Sequence, residues 1–115
     1  MRKLFLAERL LVESLLKKSG LDSIGIDFRE VQVEAMSDGG MGSLKFLSST
    51  PDELRSLGLQ VEAMAKDEAD GVELSISLNF DSDGVLYELD IWKVDFSPLG
   101  GYPRVDSLSS VKVIP

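Results

Sequence analysis

The chain has 115 residues, of which 43% are hydrophobic and 28% are charged, and this composition is typical of one globular domain with one core. It has no cysteine, which excludes disulfides and thiolate metal sites, and no histidine, which removes the usual general base and the commonest metal ligand. A formal charge of -8 disfavours nucleic acid and anionic membranes as partners and favours a basic protein. We therefore expect a single cytoplasmic domain, residues 1–115, with no cofactor and no metal.

The first predicted element is a long amphipathic helix from about Lys3 to Ser19. Apolar residues recur on one side of it at helical spacing: Leu4, Ala7, Leu11 and Leu15. Charges such as Glu8 interrupt the apolar run, so we interpret the segment as a folded helix and not as a secretory signal. Its apolar stripe is expected to pack on one face of a sheet.

Residues 21–28 fit either a short edge strand or an extended linker. Beyond them, alternation of apolar and polar residues predicts five strands joined as hairpins. These strands are residues 31–36, 43–48, 59–64, 72–80 and 85–96. The pentapeptide Gln-Val-Glu-Ala-Met occurs in two of them, which fits either an internal duplication or convergence on a good strand sequence.

A capping pattern at Thr50-Pro51-Asp52-Glu53 predicts a short second helix near 51–57, ending before Gly58. Residues 99–115 are rich in Gly, Ser and Pro, and we expect an irregular tail with a short last strand from Val111 to Ile114. The predicted fold is α+β, with the long helix on one face of a mainly antiparallel sheet of about five strands.

The strand 85–96 changes the parity of its apolar residues. Val85, Tyr87, Leu89 and Ile91 occupy odd positions, whereas Trp92, Val94 and Phe96 occupy even positions. A bulge near Ile91 and Trp92 would reconcile the two sets. This interpretation makes Trp92 a core residue more readily than a ligand platform.

The polar side of this hairpin holds the candidate site. Glu88 and Asp90 share a face, and such a pair could perform acid–base chemistry if burial raised one pKa; the alternative is a face covered by water or a partner. We predict that Glu88, Asp90, Trp92 and Lys93 are partner-binding positions. Lys93 belongs to this set if the bulge turns its side chain outward. No catalytic, cofactor-binding or metal-binding residue is assigned.

The stretch Asp83-Gly-Val-Leu-Tyr-Glu-Leu-Asp-Ile-Trp-Lys-Val-Asp-Phe-Ser-Pro-Leu99 resembles the C-terminal signature of a family of small uncharacterised bacterial proteins, a domain of unknown function. The turn Ser37-Asp-Gly-Gly-Met-Gly-Ser-Leu44 and the N-terminal helix are also similar to that family. The resemblance implies no activity and no functional residue. It marks the glycine-rich turn and the strand from Glu88 to Phe96 as the first positions to inspect.

The leading hypothesis is a non-enzymatic acidic module that binds a protein partner, such as a basic toxin neutralised by an immunity protein, or that acts as a regulatory binder. Its basis is the charge of -8 and the missing histidine, cysteine and nucleotide-binding motifs. The alternative is a small carboxylate-dependent enzyme using Glu88 and Asp90, with Lys93 as a further group. A third hypothesis is a homodimer formed through a strand edge.

Overall fold

The computed structural model describes residues 1–22 and 25–115. This part of the chain contains one α-helix, α1 (Leu6–Lys18), and seven strands. The strands are β1 (Arg2–Lys3), β2 (Gln32–Ala35), β3 (Leu44–Phe46), β4 (Leu57–Lys66), β5 (Glu73–Asp81), β6 (Leu86–Lys93) and β7 (Ser109–Ile114). Among the described residues, no helix has the length and apolar character needed to cross a bilayer.

The strands form one antiparallel sheet in the order β1-β2-β3-β6-β5-β4-β7. Alternation along the three longest strands sends one set of side chains to a single core, where α1 packs. The helix contributes Leu11, Val12, Leu15 and Leu16 to this core, and the three strands contribute Val61, Ala63, Ala65, Leu74, Ile76, Leu78, Leu89 and Ile91. The other set forms what we call the open face, which the helix does not cover.

The α+β class is confirmed, but the prediction of about five strands is wrong, since the sheet has seven. The two strands that were not counted lie at its edges. Arg2 and Lys3 pair with Val33 and Gln32 as β1, and the segment 99–115 contains β7, which pairs with β4. β7 includes Val111 to Ile114, where we expected a short last strand. β1 was missed because a two-residue strand carries too little alternation to be recognised from sequence.

The prediction of a long helix from Lys3 to Ser19 is also wrong, because α1 has 13 residues and begins at Leu6. Arg2 and Lys3, which precede the helix, belong to the sheet as β1. At the start of the helix, the Glu8 carboxylate accepts the backbone N–H of Phe5 at 2.7 Å and binds both terminal nitrogens of Arg2, at 2.7 and 2.8 Å. These bonds satisfy a free amide at the N-terminus and fix where the helix begins.

The second helix predicted near 51–57 is a single 3₁₀ turn of three residues, Asp52–Leu54. Two charged side chains explain the short length. Asp52 forms an ion pair with Lys45 of β3, and Arg55 leaves the helical path because its guanidinium is bound in the protein interior. The prediction for residues 21–28 falls partly on Ser23 and Ile24, which lie outside the described residues.

No bulge interrupts β6 at the expected place. Ile91, Trp92 and Lys93 pair in regular register with Ile76, Ser75 and Leu74 of β5, and the register shift lies instead at Asn79 and Phe80. From Leu89 onward, the odd positions of β6 therefore face the core through Lys93. Trp92 lies on the open face with 53% of its surface exposed, so its interpretation as a core residue is wrong.

Candidate functional site

The open face places Glu88 and Asp90 on β6 opposite two polar residues of β5. The register pairs Glu88 with Asn79 and Asp90 with Ser77. Ser77 Oγ donates to Asn79 Oδ1 at 2.8 Å, and Asn79 Nδ2 donates to Asp90 Oδ2 at 2.9 Å. Because Asn79 is only 3% exposed and both ends of its amide are bonded, it fixes the orientation of the Asp90 carboxylate.

Both carboxylates of the pair are partly buried, and among the described residues neither forms an ion pair, although Lys45 of β3 lies opposite Glu88 in the register. Burial raises the pKa of Glu88 above its ordinary value, and the charge of Asp90 raises it further, while the charges of Lys45 and Arg55 oppose the shift without cancelling it. Burial likewise raises the pKa of Asp90, while the hydrogen bond from Asn79 opposes the shift and the charge of Asp38 adds to it. Their negative charge is therefore poorly compensated by the protein itself.

Next to Asp90 lies an exposed group of apolar side chains, Trp92, Val94 and Phe96, which we call the aromatic corner. Their exposed fractions are 53%, 48% and 69%. The rings of Trp92 and Phe96 lie 5.5 Å apart at an interplanar angle of 53°. Phe96 has φ +65°, a left-handed conformation that costs a non-glycine residue about 1–2 kcal/mol. A strained residue that exposes its ring to water marks this corner as a candidate site.

The structure brings Glu88, Asp90 and Trp92 to one face but places Lys93 on the other. The Lys93 side chain is 1% exposed, and its Nζ donates to Asp67 Oδ2 at 2.9 Å, to Asp70 Oδ2 at 2.6 Å and to the carbonyl of Pro98 at 3.2 Å. Hydrogen bonds with Asp70 and Asp67 raise its pKa. Lys93 thus supports the aromatic corner from below and does not join the two carboxylates.

Asp67 is the centre of this internal anchor. Besides Lys93, it accepts the backbone N–H groups of Ala69 at 2.8 Å, Gly100 at 2.7 Å and Gly101 at 2.9 Å. Burial alone would raise its pKa, but the bonds from Lys93 and the backbone outweigh burial and lower the pKa to about 2. The turn after β4 is therefore fastened to both the end of β6 and the segment that follows it.

The glycine-rich turn before β3 packs against the same end of β6. The Gly40 carbonyl accepts the Leu99 N–H at 2.9 Å, and Gly40 has φ +80°, which favours glycine. Ser43 Oγ accepts the Ile91 N–H at 2.9 Å and donates to the Ile91 carbonyl at 3.2 Å. The two segments that the sequence resemblance marked thus meet in the structure and hold β6 in place beyond β3.

A second internal anchor lies at the opposite end of β6. Arg55 Nε donates to Asp81 Oδ2 at 2.9 Å, and its terminal nitrogens donate to the carbonyls of Phe46 and Leu86 at 2.9 and 2.6 Å. Burial opposes ionisation of Asp81, but the Val85 N–H and the Arg55 guanidinium lower its pKa. These bonds connect the start of β4 to the hairpin between β5 and β6.

The carboxylate pair lies outside the surface clefts that we describe. Glu88, Asp90 and Trp92 line none of these four clefts. The one beside the β5–β6 hairpin has a volume of about 370 Å³ and is lined partly by Val31, Phe46 and Leu86. Across residues 1–22 and 25–115, no group of three or more acidic side chains is arranged to hold a metal ion.

Sequence reasoning missed two parts of this site, the exposed Phe96 and the buried Asn79. The sequence did contain a signal for the exposure of Phe96. If the odd positions Leu89 and Ile91 face the core and this parity continues, the even positions Trp92 and Phe96 lie on the open side. The left-handed backbone of Phe96 carries no sequence signal, since that conformation is rare for aromatic residues. The burial of Asn79 depends on neighbouring strands and could not be inferred from β5 alone.

Comparison with known proteins gives a family and no activity. Neither the curated proteins nor the solved structures contain a match to this chain. Residues 1–103 match the model of a family described as Domain of unknown function (DUF6984), and this stretch includes α1, the glycine-rich turn, the open face and both internal anchors. The chain belongs to that family.

Proposed function

We propose that the protein is a non-enzymatic acidic module that binds a basic protein partner through its open face, as an immunity protein or a regulatory binder does. The observation that carries the proposal is the aromatic corner beside the poorly compensated carboxylates Glu88 and Asp90. The proposal includes a bacterial, cytoplasmic setting, in line with the family resemblance and the absence of cysteine.

The aromatic corner supports a protein partner because exposed, rigidly held aromatic side chains are the residues that dominate binding energy at interfaces. The corner is rigid for identifiable reasons. Lys93 is anchored at three oxygen atoms below it, and Asp95 accepts both the N–H and the hydroxyl of Ser97, at 3.0 and 2.6 Å. The backbone that carries the aromatic corner would therefore need little rearrangement on binding.

Charge supports a basic partner. The chain carries -8, and the Asp90 carboxylate has Asn79 as its hydrogen-bond donor, with no cation paired to it among the described residues. A cationic group from a partner would offset the effect of burial on Glu88 and Asp90 and favour their ionised forms. Such pairing favours both rapid association and selection against acidic proteins.

The alternative function, a carboxylate-dependent enzyme, draws on one observation, the raised pKa of Glu88 and Asp90. We favour the binding module because Lys93 is on the opposite face and the clefts that we describe do not include this pair. A general acid needs a bound substrate within hydrogen-bond distance. Saturable binding of a small molecule that shifts the NMR signals of both carboxyl groups would favour the enzyme.

The test is affinity capture from native lysate with three forms of the chain. The wild type is compared with the double reversal Glu88→Lys and Asp90→Lys, and with a matched double reversal of exposed carboxylates elsewhere, Glu30→Lys and Glu68→Lys. We expect a basic protein that the wild type and the matched control retain and the open-face reversal loses. Recovery of the same proteins by all three forms would contradict the proposal, and recovery of the chain itself would indicate a homodimer.

A further inference from the structure

A shallow groove runs along β5 on the open face. The small side chains of Ser75 and Ser77 form its floor. A groove results because each serine pairs with larger residues on both neighbouring strands. Ser75 lies between Trp92 of β6 and Met64 of β4, and Ser77 lies between Asp90 and Glu62. We call this feature the serine groove. The β4 and β6 backbones that flank it are about 10 Å apart, which is twice the spacing of neighbouring strands.

The dimensions and charges of the serine groove limit what can lie in it. An α-helix with its side chains is about 10–12 Å wide, so the space between the walls admits one side chain or one extended segment and not a helix. Both walls carry a carboxylate, Asp90 on β6 and Glu62 on β4. Lys112 of β7 reaches Glu62 at 3.9 Å, whereas Asp90 has no ion-pair partner within the described ranges. A cationic occupant beside Asp90 is therefore favoured.

The chain itself shows which cation suits a carboxylate beside an aromatic ring. Arg2 lies 3.9 Å from the centre of the Phe5 ring while it binds Glu8. Arg55 lies 4.3 Å from the centre of the Tyr87 ring while it binds Asp81. A third example combines Arg9 with Phe28 and Glu13. In the part of the chain that the structure describes, Trp92 and Asp90 form the same combination without an arginine.

We propose that the serine groove receives an arginine side chain of the basic partner, with its guanidinium stacked on the Trp92 ring and paired with the Asp90 carboxylate. This inference rests on the proposed binding function and specifies the residue that is recognised. Neighbouring side chains on one face of a strand are about 7 Å apart, which a guanidinium can bridge. Lysine fits less well because its ammonium is a strongly hydrated point charge that neither stacks nor binds in a planar, bidentate way.

The test measures binding of three short peptides that alternate serine with arginine, with lysine or with citrulline. Citrulline preserves the shape of arginine and lacks its charge. Trp92 is the single tryptophan of the chain, so its fluorescence reports directly on the groove, and calorimetry measures the affinity. We expect the arginine peptide to change Trp92 fluorescence and to bind about tenfold tighter than the lysine peptide, and the citrulline peptide to give no response.

Substitutions locate the contact. Asp90→Asn and Trp92→Leu should each weaken binding of the arginine peptide by about tenfold or more, whereas Glu30→Gln, which removes an exposed carboxylate outside the groove, should not. Thermal unfolding of each variant shows that it is folded. Equal affinity for the arginine and lysine peptides, or arginine binding that is insensitive to Asp90→Asn, would overturn the arginine inference while leaving the binding module intact. If no peptide binds and the lysate partner still depends on Glu88 and Asp90, the arginine inference alone fails; if that dependence is also absent, both proposals fail.

Discussion

Burial opposes ionisation of both Asp67 and Asp90, yet the protein shifts their pKa values in opposite directions. Asp67 lies against Lys93 and three backbone amides, which together lower its pKa to about 2. Asp90 lies on the open face with one amide donor and, in the part of the chain that the structure describes, no ion-pair partner, and burial raises its pKa. The same contrast separates Asp81, bound by Arg55, from Glu88.

The direction of the pKa shift separates carboxylates that stabilise the fold from carboxylates that are available to a partner. A buried carboxylate with a complete set of donors holds strands and turns together, and it has no capacity left for a partner. A partly buried carboxylate without a cation destabilises its own ionised form and gains most from an external cation. By this criterion Asp67 and Asp81 are structural, whereas Glu88 and Asp90 are the candidate binding groups.

The largest predicted effect comes from breaking an internal anchor. Arg55→Met should lower the free energy of unfolding by about 3–5 kcal/mol, because it leaves the Asp81 carboxylate buried without its cation. Urea unfolding at neutral pH measures the loss. Arg104→Met is the matched control, since that exposed arginine pairs with exposed Asp106 and should contribute about 0.5 kcal/mol or less. Equal losses in the two variants would contradict a structural role for Arg55.

The next effect is on acid stability. Because the folded-state pKa of Asp67 is lowered to about 2, the folded state holds this proton less tightly than the unfolded chain does. Its stabilising contribution is therefore present at neutral pH and is lost as the pH falls from about 4 towards 2. The urea midpoint of the wild type should fall through this range, and Asp67→Asn should make the fall shallower.

Asp90→Asn is the control for the acid experiment. The raised pKa of Asp90 has the opposite sign, so its ionisation disfavours folding as the pH rises. Asp90→Asn should therefore leave the acid limb below pH about 4 in place and should not lower stability at neutral pH. An Asp90→Asn variant that flattens the acid limb as much as Asp67→Asn would remove the distinction between the two carboxylates.

The smallest effect concerns the backbone of the aromatic corner. Phe96→Gly relieves the cost of the left-handed conformation, about 1–2 kcal/mol, and adds about 0.5–1 kcal/mol of chain entropy in the unfolded state. We expect a free energy of unfolding that is unchanged or raised by about 1 kcal/mol, measured in urea. Both Phe96→Ala and Phe96→Gly lose the ring contact with Trp92, but Phe96→Ala keeps the backbone strain, so it should be less stable than Phe96→Gly. The reverse order would show that the corner is not strained.

Patterns within single segments were the part of the fold that could be predicted from the sequence. The alternation from Glu73 to Phe80 and the stripe that contains Leu11 and Leu15 indicated the α+β class, because each element shows its own periodicity. The error at 51–57 arose because tertiary contacts override a local capping pattern. Arg55 turns inward to reach Asp81, which is 26 positions away in the chain, and a short helix cannot form around that path.

The candidate site was predictable in the same limited sense. Glu88 and Asp90 alternate on one side of a strand, so their common face follows from the sequence. Lys93 was misplaced because the change of parity at Trp92 was taken as a sign of a bulge that would turn Lys93 outward, whereas Lys93 is a buried ion-pair partner of Asp67. The local sequence of β6 does not indicate that Asp67, which lies in the turn after β4, is the partner of Lys93.

The most direct test of the central claim is an NMR titration of the side-chain carboxyl groups of Asp67, Asp81, Glu88 and Asp90 in the folded protein. The carboxyl carbon shifts of all four are followed against pH in one sample. We expect Asp67 and Asp81 to titrate below the ordinary range of aspartate, and Glu88 and Asp90 to titrate above the ordinary range of their residue types. Titration of Glu88 and Asp90 at or below their ordinary pKa values would contradict the central claim.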